Sequence, residues 1–199
     1  MEKSTNLSWD FYLDKIHSYA FYEKAFTKEE CEVIIKLAKI KGLNDALVRK
    51  DNEEKKLNNI RDSKICWLTP GDNVAWVFRR ITDITLHINK LFFNFDLSGI
   101  NEGLQFTNYK APSGKYNRHV DKGFGFPIRK LSISIQLTDP KEYEGGELYI
   151  DNGVESYVMM KKDQGALIAF PSYTLHEVMP VTKGERNSLV TWVTGKPFK

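Results

Sequence analysis

The sequence predicts an α+β domain in which helices pack outside a jelly-roll-like barrel. Two helix-period segments occupy the first half of the chain, and the second half breaks into short alternating segments separated by turn residues. Many short strands separated by turn residues argue for a sandwich or barrel, with the helices packed outside it. Among 199 residues, 41% are apolar and 13% aromatic, enough for the core of one domain. The domain is expected to span 1–199, with a helical lead-in over about 1–98 and the barrel over about 99–196.

The first helix opens at Thr27-Lys28-Glu29-Glu30, a threonine N-cap with glutamate three residues on. Cys31, Ile34, Ile35 and Ala38 follow at helical spacing, and Gly42 ends the run. A second helix is expected from about Asp72 to Phe92, where Val77, Ile81, Ile84, Ile88 and Leu91 form one stripe. Between them, 51–59 (DNEEKKLNN) is polar and reads as an exposed loop.

Strands are expected at Leu104 to Tyr109, with Gln105, Thr107 and Tyr109 on one face, and at Leu131 to Leu137, where Leu131, Ile133, Ile135 and Leu137 alternate with Ser132, Ser134 and Gln136. Glu147 to Ile150 and Tyr157 to Lys161 flank the turn signal Asp151-Asn152-Gly153. Ala166 to Phe170, Leu175 to Pro180 and Asn187 to Thr194 complete the series, with a turn expected at Thr182-Lys183-Gly184-Glu185.

The net charge of +3 makes no case for nucleic acid. Cys31 and Cys66 share no metal-ligand spacing and read as free thiols in a reducing compartment. The first fifteen residues (MEKSTNLSWDFYLDK) contain no apolar h-region, and no stretch nears the length of a membrane span, so a soluble cytoplasmic protein is expected.

Of the four histidines, His17 and His87 read as structural. His119 stands two residues before Asp121, and in an extended segment positions i and i+2 point to the same side. An imidazole nitrogen and a carboxylate oxygen can therefore meet at one point. His176, 57 residues on in a strand-like stretch, can be brought alongside by a barrel. Two histidines and one carboxylate make the facial triad of non-haem Fe(II) oxygenases, whose open positions accept a bidentate 2-oxo acid and O2. Arg186 follows ten residues after His176. Projecting deeper into the same barrel, it needs an anionic partner, and the distal carboxylate of 2-oxoglutarate is one.

These residues lie within a longer resemblance. Gln105 to Tyr109, Gly114 to Asp121, Leu131 to Pro140, Tyr143 to Leu148, Gly165 to Pro171, His176 to Val181 and Gly184 to Trp192 resemble, in order and spacing, the prolyl 4-hydroxylase-like 2-oxoglutarate/Fe(II) dioxygenases, closest to the bacterial and phage peptidyl-hydroxylase branch. The resemblance implies a double-stranded β-helix, Fe(II) held by His119, Asp121 and His176, and 2-oxoglutarate held by Arg186. It also implies Tyr109 in the co-substrate pocket and Trp192 near its mouth. The implied cofactors are Fe(II), 2-oxoglutarate and O2, with ascorbate as reductant. The implied partner is a peptide or protein substrate, most specifically a peptidyl proline, with no nucleic acid and no membrane. Asp121 itself favours hydroxylation, because related halogenases carry a small residue there. Two features depart from the pattern: collagen-type enzymes place a lysine near Arg186, and Gln136 stands where some relatives place a tyrosine. The loops at 51–70 and 122–130, expected to cover the substrate, match poorly and leave its identity open.

Two rivals stand beside this reading. Nucleic-acid demethylases of similar fold carry a second arginine shortly after the anchoring one, and Asn187 to Thr194 contain none. A non-catalytic, cupin-like metal-binding module would need neither Arg186 nor an open coordination face.

Overall fold

The computed structural model describes residues 17–50, 53–121, 128–153 and 157–196. Two antiparallel sheets face each other. The larger runs in the order Ala20–Tyr22, Leu167–Pro171, Arg129–Gln136, Val181–Gly195, Leu104–Lys110, Lys64–Leu68, Asn44–Asp45. Tyr143–Gly145 and Leu97–Gly99 also pair with its long strand Val181–Gly195. The smaller runs Val158–Met159, Leu148–Ile150, His176–Val178, Lys115–His119, Arg61–Asp62. Strands joining across two facing sheets make the double-stranded β-helix that the sequence leads one to expect.

Helix α1 spans Lys28–Lys41 and α2 spans Ala75–Ile88. Both lie on the outer face of the larger sheet. Ile34, Ala38, Val77, Ile81 and Ile84 form one cluster with Leu104, Phe106, Leu131, Ile133, Ile135 and Leu189. The alternation of the central strands thus serves two cores. Odd-numbered residues of Arg129–Gln136 meet the helices, while its even-numbered serines face inward toward the smaller sheet. A second cluster, with Tyr109, Ile150, Ile168, Phe170 and Val178, fills the space between the sheets.

The capping box at Thr27 is present: the Glu30 N–H donates to Thr27 Oγ1 at 3.3 Å, and the Thr27 N–H donates to Glu30 Oε2 at 2.9 Å. Thr27→Ala is expected to cost about 1 kcal/mol, read as a lower midpoint in denaturant unfolding.

Several expectations need correction. The segment 51–59 is not simply a loop, because Glu53–Lys55 pairs with Val48–Lys50 in a two-stranded ribbon; residues 51–52 lie outside the described residues. The stripe of α2 stops at Ile88. A π-helical turn over Asn89–Phe93 adds a residue to the turn, so Phe93 is buried and Leu91 is left 57% exposed. The first half of the chain also contributes strands to the larger sheet, since Lys64–Leu68 completes its pairing beside Leu104–Lys110. No turn separates Val181 from Arg186. The strand is continuous across Thr182–Glu185, and Gly184 (φ 71°) absorbs the bend where a Cβ would meet the Glu142 carbonyl oxygen at 2.2 Å.

The hairpin between Leu148–Ile150 and Val158–Met159 forms as expected, its 154–156 segment lying outside the described residues. Cys31 and Cys66 are both free and buried. Among the described residues no helix is long and apolar enough to cross a membrane.

Candidate active site

The space between the sheets holds a cavity of about 1140 Å³ that reaches from Arg186, Tyr109 and Ser188 to a mouth at Trp67, Leu47 and Val48. His119, Asp121 and His176 stand on its wall. His119 closes the strand Lys115–His119, and the next strand over, His176–Val178, pairs with it so that His176 lies opposite His119. Asp121, two residues beyond, is held by its own N–H to the Ser172 carbonyl oxygen at 3.0 Å.

One ligand atom from each side chain lies within 4.8 Å of the other two. His119 Nε2 is 3.7 Å from Asp121 Oδ1, and His176 Nε2 is 3.5 Å from Asp121 Oδ2. Two bonds of roughly 2.1 Å meeting at a right angle separate their ligand atoms by roughly 3 Å, so these spacings suit one ion. Both imidazoles are set for it. His119 Nδ1 lies 2.8 Å from the Asn117 carbonyl oxygen and His176 Nδ1 lies 2.9 Å from that of Thr174. An Nδ1–H donated there leaves the Nε2 lone pair facing inward.

Burial first, and His176 second, hold the His119 imidazole down at about 4 against the upward pull of Asp121. It is therefore neutral, a metal ligand rather than a cation, at neutral pH. Burial alone would raise the Asp121 carboxyl. His176, His119 and the Ser132 hydroxyl outweigh it and leave the group below its ordinary value. Ser132 Oγ donates to Asp121 Oδ2 at 2.6 Å.

Arg186 lies at the inner end, 2% exposed, on the strand position opposite Tyr109. Its Nη2 donates to Gln136 Oε1 at 2.9 Å, and its guanidinium carbon sits 5.3 Å from the centre of the Tyr109 ring. Gly146 (φ 65°) makes room for it, since a Cβ there would come within 2.9 Å of Arg186 Cδ. Nη1 of Arg186 and Nε2 of Gln136 are buried without a hydrogen-bond partner among the described residues. An orphaned guanidinium N–H at the floor of a cavity is a donor prepared for an anion. The donor set and this orphan fit a hard, six-coordinate divalent ion and a dicarboxylate.

Trp192 lies near the mouth as expected, with the Arg129 guanidinium 3.7 Å over its ring. Ser134 lines the cavity. His17 and His87 stand elsewhere, edge-on to Phe92 and Tyr22. Of the expected covering loops, 51–52 and 122–127 lie outside the described residues. Sequence reasoning missed Ser132, the Glu102–Arg129 ion pair, Tyr116 stacked on His119 at 3.5 Å, and Arg61. Only Ser132 carried a signal, as a polar residue at alternate positions of an otherwise apolar strand.

Residues 104–194 match the family described as the 2OG-Fe(II) oxygenase superfamily. A PKHD-type hydroxylase of Aliarcobacter butzleri (strain RM4018) is 34% identical over 133 residues, covering 63% of this chain and 58% of the relative. The chain spans about half the length of the curated relatives it matches. Among solved structures, a prolyl-4-hydroxylase of Pseudomonas putida superposes with a TM-score of 0.72 at 21% identity, covering 91% of this chain and 94% of that one. A Trichoplax adhaerens prolyl hydroxylase, solved with a hypoxia inducible factor peptide fragment, gives 0.75 at 15% identity, covering 90% and 84%. At these identities the likeness shows the fold.

Proposed function

We infer that the chain is a 2-oxoglutarate- and O2-dependent hydroxylase acting on a peptidyl proline, a reading supported by the match of residues 104–194 to the 2OG-Fe(II) oxygenase superfamily. The observation that carries the reading is the convergence of His119, Asp121 and His176 at the wall of a cavity whose floor holds a buried arginine with a free N–H. The names of the PKHD-type and prolyl hydroxylase relatives support the finer choice of substrate.

His119, Asp121 and His176 would hold Fe(II) through Nε2, a carboxylate oxygen and Nε2. Arg186 and Gln136 would receive the far carboxylate of 2-oxoglutarate. When bound, iron and 2-oxoglutarate supply the oxidising power of O2, with succinate and CO2 released. The protein's share is geometric and electrostatic. Asn117 and Thr174 fix the two imidazoles, and Ser132 fixes the carboxylate. Phe170, Leu148 and Val178 give the cavity apolar walls. Tyr109 walls the arginine's side of it.

The test is intact-mass analysis of prolyl peptides after incubation with the protein, Fe(II), 2-oxoglutarate and ascorbate. A gain of about 16 Da, one oxygen atom, on a prolyl residue is expected, with one succinate per hydroxylation. Oxidation of another residue would discard the proline assignment, and no 2-oxoglutarate-dependent succinate would discard the reaction class.

A further inference from the structure

We propose that Arg61 is the substrate's anion anchor: it takes a free α-carboxylate, so the residue to be oxidised is a C-terminal prolyl residue rather than an internal one. The proline part of this rests on the function proposed above; the carboxylate part stands on the following geometry.

Arg61 lies at the edge of the smaller sheet, opposite Tyr116 in the register, and lines the cavity while only 8% exposed. Its guanidinium carbon is 4.6 Å from the centre of the Tyr116 ring, and that ring stacks on His119. The charge therefore sits one aromatic ring away from the triad. Nε donates to Ser63 Oγ at 3.0 Å and Nη2 to Gln105 Oε1 at 2.9 Å. Every one of these partners is neutral. Among the described residues no carboxylate lies within ion-pair distance of Arg61, whereas Arg129, which also lines the cavity, is paired with Glu102, and Lys41 and Asp45 at the rim are paired with Asp72 and Lys56.

A buried guanidinium satisfied only by neutral acceptors keeps its charge uncompensated, an arrangement that is costly unless a ligand completes it. Charge counting in the loaded site gives the ligand's sign. A ferrous ion, Asp121, a dianionic 2-oxoglutarate and Arg186 are together neutral, and so is the Glu102–Arg129 pair. Among the described lining residues, Arg61 then leaves the loaded cavity with one positive charge. A C-terminal prolyl residue bears its carboxylate on the pyrrolidine ring itself as its one charge there, whereas free proline also carries a ring ammonium and is net neutral. An internal prolyl residue presents only a carbonyl there and leaves the charge standing.

The experiment is anaerobic calorimetric titration of the Fe(II)- and 2-oxoglutarate-loaded protein with N-acetyl-L-prolinate, N-acetyl-L-prolinamide, L-proline and N-acetyl-L-alaninate. Prolinate is expected to bind at least about tenfold more tightly than prolinamide, as loss of a charge-assisted contact implies. Arg61→Gln should erase that difference and Arg61→Lys should retain part of it. The acid-to-amide comparison needs only the unaltered protein, so it stands even where a variant fails to fold. Tighter binding of L-proline than of N-acetylprolinate overturns the C-terminal assignment, and the reverse upholds it. Equal binding of acid and amide overturns the proposal while leaving the proline reading intact. Arg61-dependent binding of N-acetylalaninate as tight as prolinate upholds the carboxylate anchor and discards proline. No binding of any carboxylate overturns the anchor.

Discussion

Asp121→Ala is expected to cost the protein its metal and its turnover together. The carboxylate is the anionic member of the triad, it lies between the two imidazoles at 3.5 and 3.7 Å, and its Oδ2 accepts from the Ser132 hydroxyl. Without it, two neutral nitrogens remain, a donor set far poorer for a hard divalent ion. Succinate formation should fall by on the order of a thousandfold or more, with Fe(II) retention in equilibrium dialysis falling in parallel. His176→Ala should behave the same way, because His176 is the ligand that ties the second strand to the site. The fold should survive both changes, as the triad belongs to neither hydrophobic cluster; an unaltered circular dichroism spectrum checks this. Either variant turning over at near-normal rate would remove these residues from the site.

Arg186→Ala should separate what Asp121→Ala joins. Metal should stay bound, and the dissociation constant for 2-oxoglutarate should rise about a hundredfold or more, the loss expected when one partner of a buried charge pair is removed. Arg186→Lys should fall between, since an ammonium keeps the charge but not the two-pronged donor geometry. Truncation also leaves Gln136 Oε1 without its donor and opens a void beside Gly146. Arg186→Met, of similar length and without charge, separates that structural cost from the lost anion contact. Calorimetric titration of 2-oxoglutarate into each metal-loaded variant reads the difference, and an unchanged affinity in Arg186→Met would assign the co-substrate's carboxylate to other groups.

Much of the local structure was legible in the sequence because it is governed by neighbours a few residues apart. The Thr27 capping box, the stripe Val77, Ile81, Ile84 and Ile88, and the alternation of Leu131 to Gln136 are each such short-range rules, and each holds. The failures are instructive for the same reason. Leu91 left the stripe because one extra residue entered the helical turn at Asn89–Phe93, and the expected turn at Thr182–Glu185 became a bent, continuous strand around Gly184. Neither the added residue nor the close approach of Gly184 to the Glu142 carbonyl oxygen leaves a trace in the pattern of apolar positions.

The active site divides along the same line. That His119 and Asp121 share a side follows from the two-residue repeat of an extended chain, and their pairing with a later histidine and arginine is a matter of composition and order. Their meeting is decided elsewhere. His176 stands opposite His119, and Arg186 opposite Tyr109, only because two pairs of strands align in one particular register. A slip of a single residue in either pair would turn the side chain out of the cavity. Ser132 and Arg61 come to the site through further alignments, from strands far apart in the chain, whereas Tyr116 stands three residues before His119 on its own strand. Chain order and residue chemistry thus determined which groups are available. Tertiary structure alone decided which of them face one another, because strand register is set by burying whole sheet faces at once and not by any segment's own preference.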